Sequence, residues 1–231
     1  MLIGTEALDL IRAYQPSHRF EKSLIKAAVA IILRDVGNHT ECLMMQRAKH
    51  DSDPWSGQMS FPGGKIDPCD ESAKAAAVRE AFEEVGVELV ETDYIGQLDD
   101  LYGLRVKGVF SVHVSCFVFK PERPLDLVAN HEVADMVWLP FEKLSKPEFA
   151  HDFIHPNQKS LSMPAVMIDE VRQQILWGLS LRMLANLYDV LGLQMSVLDS
   201  QQKQELLNIE RRNLDPDSFD RISKKMVSRS K

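Results

Sequence analysis

The apolar positions of this chain change period from one stretch to the next. Residues 27–33, AAVAIIL, are apolar without a break and suit a strand buried on both faces. Residues 41–47, ECLMMQR, supply a partner strand, and Gly37-Asn38 between them predicts a hairpin turn. Further strands are predicted at Tyr94 to Leu98, at Val109 to Phe119 with partial alternation, from Val133 to Pro140, and over 161–167. Asp99 to Gly108 reads as a loop, and Phe141–Leu144 as a short helix. Helical spacing predicts a short amphipathic helix within residues 1–24, capped by Thr5 and ended before Pro16. The strongest helical stripe runs through Val171, Ile175, Leu179, Met183 and Leu187, widened by Leu176, Leu184 and Leu191. It predicts one helix over 169–192, serving as core or as a dimer surface. From about Asp199 the chain is polar, with Leu206, Leu207 and Ile209 enough for one more short helix, and its end, RISKKMVSRSK, is basic. Strands and helices mix without an internal repeat, which predicts an α/β fold with a mixed sheet between helices.

The central helix departs from ordinary patterning. It is predicted after Asp70 as N-cap and ends at Gly86, where a left-handed residue suits a helix C-terminus. At about 100° per residue, Val78, Phe82 and Val85 share the face expected to be buried, with Ala75 and Ala81 at its edges. Glu80, Glu83 and Glu84 gather on the other side, and Arg79 lies one turn from Glu83. Like charges at this spacing repel by about 0.2–0.5 kcal/mol per pair, and acids near a helix C-terminus oppose its dipole. A solvated acidic face is the plain alternative. A hard divalent cation, which prefers oxygen ligands and sits between carboxylates and phosphates, would turn the crowding into a use.

Upstream, Gly63 and Gly64 let backbone approach a ligand closely, although a tight turn alone would also explain them. The loop 48–60 carries turn signals at Asp53-Pro54 and Ser56-Gly57, and its Trp55 reads as a packed plug more readily than as a stacking platform. Together, Gly64, Glu71, Arg79, Glu80, Ala81, Glu83, Glu84, Gly86 and Val87 resemble the signature of the Nudix hydrolases. The spacing departs once: six residues separate Gly64 from Glu71 where the family signature has five.

The resemblance implies a Nudix-type α/β/α sandwich over residues 25–195, with helical extensions at 1–24 and in the polar tail 196–231. It implies hydrolysis of a diphosphate with Mg²⁺ or Mn²⁺ as cofactor. Glu80 and Glu84, stacked one turn apart, are the expected principal metal ligands, and Glu83 a third ligand or the base that handles water. Arg79 is expected to steer a neighbouring carboxylate, Glu132 to assist from its loop, and Gly63, Gly64 and Arg47 to meet the substrate. Within the family, three features resemble the coenzyme A pyrophosphatase branch. They are Leu43-Met44-Met45-Gln46-Arg47 followed by the segment Gly57 to Gly64, the long loop from Lys65 to Asp70, and Leu176-Trp177-Gly178-Leu179-Ser180. The segment Ala48–Ser56 departs from that branch. Coenzyme A or its derivatives are therefore the expected substrates, with ADP-ribose, dinucleotides or nucleotide sugars as alternatives. The presence of all four of Arg79, Glu80, Glu83 and Glu84 argues against a non-catalytic nucleotide-binding regulator.

Composition narrows the setting. At 231 residues and 45% hydrophobic, the chain can bury a proper core. Its net charge of −7 and pI near 5.5 argue against a general nucleic-acid binder. Cys42, Cys69 and Cys116 lack paired spacing, which argues against a disulfide framework or zinc knuckle and for a reducing compartment. Glu6 and Asp9 interrupt the early apolar residues, so no signal peptide is expected, and no apolar run reaches membrane-spanning length. The expectation is a cytoplasmic protein whose partner is a small nucleoside diphosphate-linked molecule, with no nucleic acid or membrane, and a homodimer as the further option. His151 and His155 read as loop histidines, and His113 as a packed, hydrogen-bonded residue.

Overall fold

The computed structural model describes residues 1–18, 23–50, 55–103, 105–106, 109–154 and 162–208. In chain order its elements are α1 (Thr5–Ala13), β1 (Ser23–Val36), β2 (His39–Arg47), β3 (Met59–Ser60), β4 (Gly63–Lys65), α2 (Ala73–Val85), β5 (Tyr94–Gln97), β6 (Leu101–Tyr102), β7 (Arg105–Val106), β8 (Val109–Phe119), β9 (Val133–Pro140), α3 (Phe141–Leu144), β10 (Ala150–Ile154), β11 (Ser162–Asp169), β12 (Gln174–Trp177), α4 (Gly178–Val190) and α5 (Ser200–Asn208).

β1 is the spine, longer than its apolar run. On one side it runs parallel to β8, from Ser23↔Phe110 to Ile32↔Phe119. On the other its second half pairs with β2 across the Gly37-Asn38 turn, while Ala27, Ala28 and Val29 pair antiparallel with Lys65, Gly64 and Gly63 of β4. β9 extends the sheet beyond β2, and β5, β6 and β7 line β8. The stretch 99–108 thus contains two short strands, β6 and β7, within what the sequence predicts as loop. Among the described residues β10, β11 and β12 form a separate antiparallel sheet.

Helices cover both faces of the mixed sheet, which bears out the α/β/α sandwich. Alternation along β1 sends Ile31 and Leu33 to one face and Ala28, Ala30 and Ile32 to the other. The first face packs against α1 through Leu8 and Ile11, α4 through Leu181, Leu184 and Leu187, and α5 through Leu206. The second carries α2. The stripe of α4 is therefore core. Arg182 and Asn186 of the same helix cap the edge of the sheet: Arg182 Nη1 donates to the Tyr102 carbonyl at 2.8 Å, and the Asp99 amide donates to Asn186 Oδ1 at 3.1 Å.

Four local expectations need correction. Thr5 is the first residue of α1; Gly4 is its N-cap and no side chain caps it. The N-cap of α2 is Ser72, whose hydroxyl accepts from the Ala75 amide at 3.0 Å, while Asp70 is engaged elsewhere. The buried face of α2 is Ala76, Ala77, Ala81, Glu84 and Val85, whereas Phe82 is 59% exposed. Alanines facing Ala28 and Ala30 let this helix lie close to β1, and a phenylalanine in that seam would hold it away. Finally, 169–192 is not one helix: β12 pairs with β11, Gln173 turns at φ 55°, and α4 starts only at Gly178, φ 64°.

Trp55 packs against the larger core cluster. His151 lies exposed on β10 rather than in a loop. Asp53-Pro54, His155, Ile209 and the basic end lie outside the described residues. Among those described, no helix is long and apolar enough to cross a membrane. The polar stretch after Asp199 contributes a fully buried Leu206 to the core. Leu206→Ala is expected to lower stability by about 2–4 kcal/mol in urea unfolding; no change would mean α5 is not docked.

Candidate active site

Two glycines make the site possible. β4 lies so close to β1 that a Cβ on Gly63, φ 150°, would stand 2.4 Å from the Ala28 carbonyl oxygen and 2.6 Å from Val29 Cα. A Cβ on Gly64 would stand 2.6 Å from the carboxyl carbon of Glu80. The Gly-Gly pair is therefore a strand under a carboxylate, rather than a bare turn. The left-handed Gly86, φ 73°, closes α2 as its position in the sequence predicts.

Glu84 points inward and is 3% exposed. Its Oε2 accepts from the Gly63 amide at 2.8 Å, and its Oε1 lies 3.7 Å from Arg47 Nη1. Burial pushes its carboxyl up to about 8; the Gly63 bond and the Arg47 charge pull the other way, and Glu80 and Glu132 add to the rise. Glu80, one turn back, is also raised, first by burial and then by Glu83 and Glu132, against its bond from Arg79. Glu132 precedes β9, where its carbonyl accepts from the Ala48 amide at 2.7 Å.

Arg79 ties the acidic loop to the helix. Its Nε and Nη2 donate to the two oxygens of Asp70, both at 2.9 Å. Its Nη1 donates to Glu80 Oε1 at 2.9 Å and Glu83 Oε2 at 3.2 Å, and Nη2 also reaches the Lys65 carbonyl at 3.2 Å. The bidentate bond holds the Asp70 carboxyl below its ordinary range, and the same contacts raise Arg79. Asp70 is the residue that sequence reasoning missed. Five residues separate it from Gly64, the spacing expected of the signature acid, while Glu71 is exposed. Eight residues separate Asp70 from Arg79 and seven separate Glu71 from it, so the loop from Gly64 to Arg79 keeps its extra residue, and the acid that Arg79 grips in it is an aspartate.

The structure thus brings Arg47, Gly63, Gly64, Arg79, Glu80, Glu84 and the charge of Glu132 into one place. Glu83 stands apart, with its side chain 52% exposed on the outer side of Arg79. Among the described residues no three His, Cys, Asp or Glu side chains converge as a ready-made metal cluster, so three acids gripping one ion is not the arrangement seen. The donor set nevertheless fits a hard divalent cation. Glu84 is buried and Glu80 half-buried, Glu80 adds to the rise of Glu84, and the contacts from Gly63, Arg47 and Arg79 offset the cost of burial only in part.

Residues 24–159 match the NUDIX domain family. The Nudix hydrolase NudL of Yersinia pestis, itself uncharacterized, is 30% identical over 173 residues, covering 74% of this chain and 82% of that protein. An uncharacterized Schizosaccharomyces pombe protein is 36% identical over 110 residues, which cover 46% of this chain and only 33% of that longer protein. The crystal structure of a MutT/nudix family protein from Enterococcus faecalis aligns with a TM-score of 0.51 at 16% identity, over 93% of this chain and 84% of that one, and shows a shared fold. By the matched domain, the relative and the architecture, this chain belongs to the NUDIX family, as a hydrolase of diphosphate-linked substrates.

Proposed function

We propose that the protein is a divalent-cation-dependent diphosphatase acting on coenzyme A or its derivatives, with 3′,5′-ADP and a 4′-phosphopantetheine species as products. The observation that carries the reaction is the carboxyl pair, buried Glu84 and half-buried Glu80, laid over the Gly63–Gly64 strand. A bound Mg²⁺ or Mn²⁺ supplies charge neutralisation and a more acidic water. Glu80 and Glu84 hold it. Arg79 keeps Glu80 in place through Nη1 and is itself locked by Asp70. Bare backbone at Gly63 and Gly64 admits the phosphates, and Arg47 draws them in. Glu83, exposed and tethered at one oxygen, is the third ligand or the base that takes the proton of the attacking water, with Glu132 as a further acid at the rim. Water oxygen bonds to one phosphorus, the bridging P–O bond breaks, and each product leaves as a phosphomonoester.

The substrate reading draws on the sequence elements shared with the coenzyme A branch. Two of them touch: the Ser180 hydroxyl donates to the Met59 carbonyl at 3.2 Å, joining the Trp177–Ser180 corner to the segment that leads into Gly63. Cys42, Cys69 and Cys116 are free thiols, which supports a reducing, cytoplasmic setting.

Product mass analysis in H₂¹⁸O, over coenzyme A, ADP-ribose and NADH, tests the reading. Cation-dependent turnover of coenzyme A, with label in one product, is expected. Turnover of ADP-ribose or NADH alone would remove coenzyme A as substrate. Binding without any product would make the chain a nucleotide-binding module.

A further inference from the structure

The sheet face under α2 continues past the helix, and there it is polar. Lys26 and His113 are register partners on the parallel strands β1 and β8, and Tyr102 of β6 is the partner of His113. Lys26 stands two residues from Ala28, the partner of Gly64, so its side chain shares the face of α2. His113, four residues before Phe117 of the α2-side core, shares it too. Leu24, on the same face again, is 48% exposed, so this end of the sheet is open. Strand spacing and rise place Lys26 about 8 Å and His113 about 12 Å from Gly64 in the sheet plane. Those separations exceed the spacing of the two phosphorus atoms in a diphosphate held at Glu80, so they suit a group elsewhere on the same substrate.

His113 is set in place rather than merely present. Its Nε2 lies 3.2 Å from Asp100 Oδ2, and its ring stacks on Tyr102 at 4.7 Å and 6°. Asp100 is 6% exposed and also takes the Ser115 hydroxyl at 2.8 Å and His18 Nδ1 at 2.9 Å. Burial works against its charge, but the bonds from His113, His18 and Ser115 prevail and hold it down at about 2. With Nε2 turned toward Asp100, Nδ1 is the ring nitrogen left for a ligand. Beside it Lys26 is exposed, and among the described residues no ion pair engages it.

We propose that Lys26 and His113, with Asp100 orienting the imidazole ring, form a subsite for a phosphomonoester carried on the ribose of the substrate nucleotide. The subsite rests on Glu80 and Glu84 being the diphosphate end, and it narrows the substrate class to nucleotides with a phosphorylated ribose. A point-charge lysine and a directed ring nitrogen are the chemistry that a dianionic monoester takes up.

Calorimetric titration of the full chain with adenosine 3′,5′-bisphosphate, adenosine 2′,5′-bisphosphate and AMP tests it without turnover. One of the bisphosphates is expected to bind at least about tenfold tighter than AMP, as for one good charge-assisted contact, and which one it is identifies the ribose position. Lys26→Ala and His113→Gln should each cut that preference to within about twofold while leaving the AMP affinity in place. Asp100→Asn should weaken the same preference, whereas a merely structural loss would weaken AMP equally. No preference in the parent protein, or a preference preserved in both Lys26→Ala and His113→Gln, overturns the proposal. A bisphosphate preference in the parent protein that both variants lose, alongside turnover of ADP-ribose alone, would instead sink coenzyme A as substrate and leave the subsite standing.

Discussion

Glu84→Gln is expected to remove activity by roughly a thousandfold or more, the upper end of what one preorganised charge is worth, while the fold survives. The amide keeps the size of the side chain and can still accept from the Gly63 amide, so packing against Arg47 and Glu80 changes little. What it loses is the negative charge that the proposed cation site draws on. The same variant has a second signature. The folded Glu84 carboxyl sits at about 8, against an ordinary value of 4.5 in an unfolded chain. Between those values the folded protein keeps a proton that the unfolded chain releases. Stability from this group is therefore fully present below about pH 4.5 and is lost as pH rises through about 8. The cation-free protein should weaken toward urea as pH is raised from 5 to 9, and Mg²⁺ should restore it at the alkaline end. Glu84→Gln should flatten the profile and remove the Mg²⁺ effect. Near-normal turnover in this variant, or an unchanged profile, would show that the cation is held elsewhere.

The sequence made the existence of the site legible more fully than its geometry. The run 27–33 announced a buried strand because both faces of β1 are covered, and the Gly37-Asn38 turn fixed its hairpin with β2. The acids of α2 were visible because they violate what a helix prefers by itself. Their orientation was not. A reading by apolar bulk puts Phe82 in the core, yet the seam is set by Ala28 and Ala30 on a strand more than forty residues away, which only the fold brings beneath the helix. Periodicity also misread 169–192. Ile175 and Leu176 continue the stripe of α4 by coincidence of spacing, although they belong to a strand paired with β11. Gly178, in the middle of that stripe, was the local signal of a break. Asp70 escapes a reading by spacing, because in the longer loop Glu71 keeps the distance to Arg79 while Asp70 keeps the distance to Gly64. The contacts of His113 are beyond reach for another reason: Asp100 comes to it from another segment, itself met by His18 from a third, and only the register of β6 against β8 puts Asp100 beside it.

Gly64→Ala and Gly63→Ala should fail in different ways, and the difference tests the reading of β4 as the floor of the site. At Gly64 the added methyl meets the end of a flexible side chain, with the Glu80 carboxyl carbon at 2.6 Å and its oxygens at 2.6 and 2.7 Å. The carboxylate can swing away, so the expected loss of stability is small, about 1 kcal/mol. Swinging away moves Glu80 off Arg79 Nη1 and out of line with Glu84, and a displacement of about 1 Å in such a site lowers turnover roughly a hundredfold. At Gly63 the methyl meets the backbone of β1, which cannot move without parting the β1–β4 pairing, and φ 150° is strained for any L side chain. That variant should lose roughly 3 kcal/mol or more, a clash added to a strained backbone, and lose activity because it unfolds. Urea unfolding separates the two, with Gly64→Ala folded but inactive and Gly63→Ala unstable. A folded Gly64→Ala enzyme with parental turnover would mean that Glu80 works from some other position than over this strand.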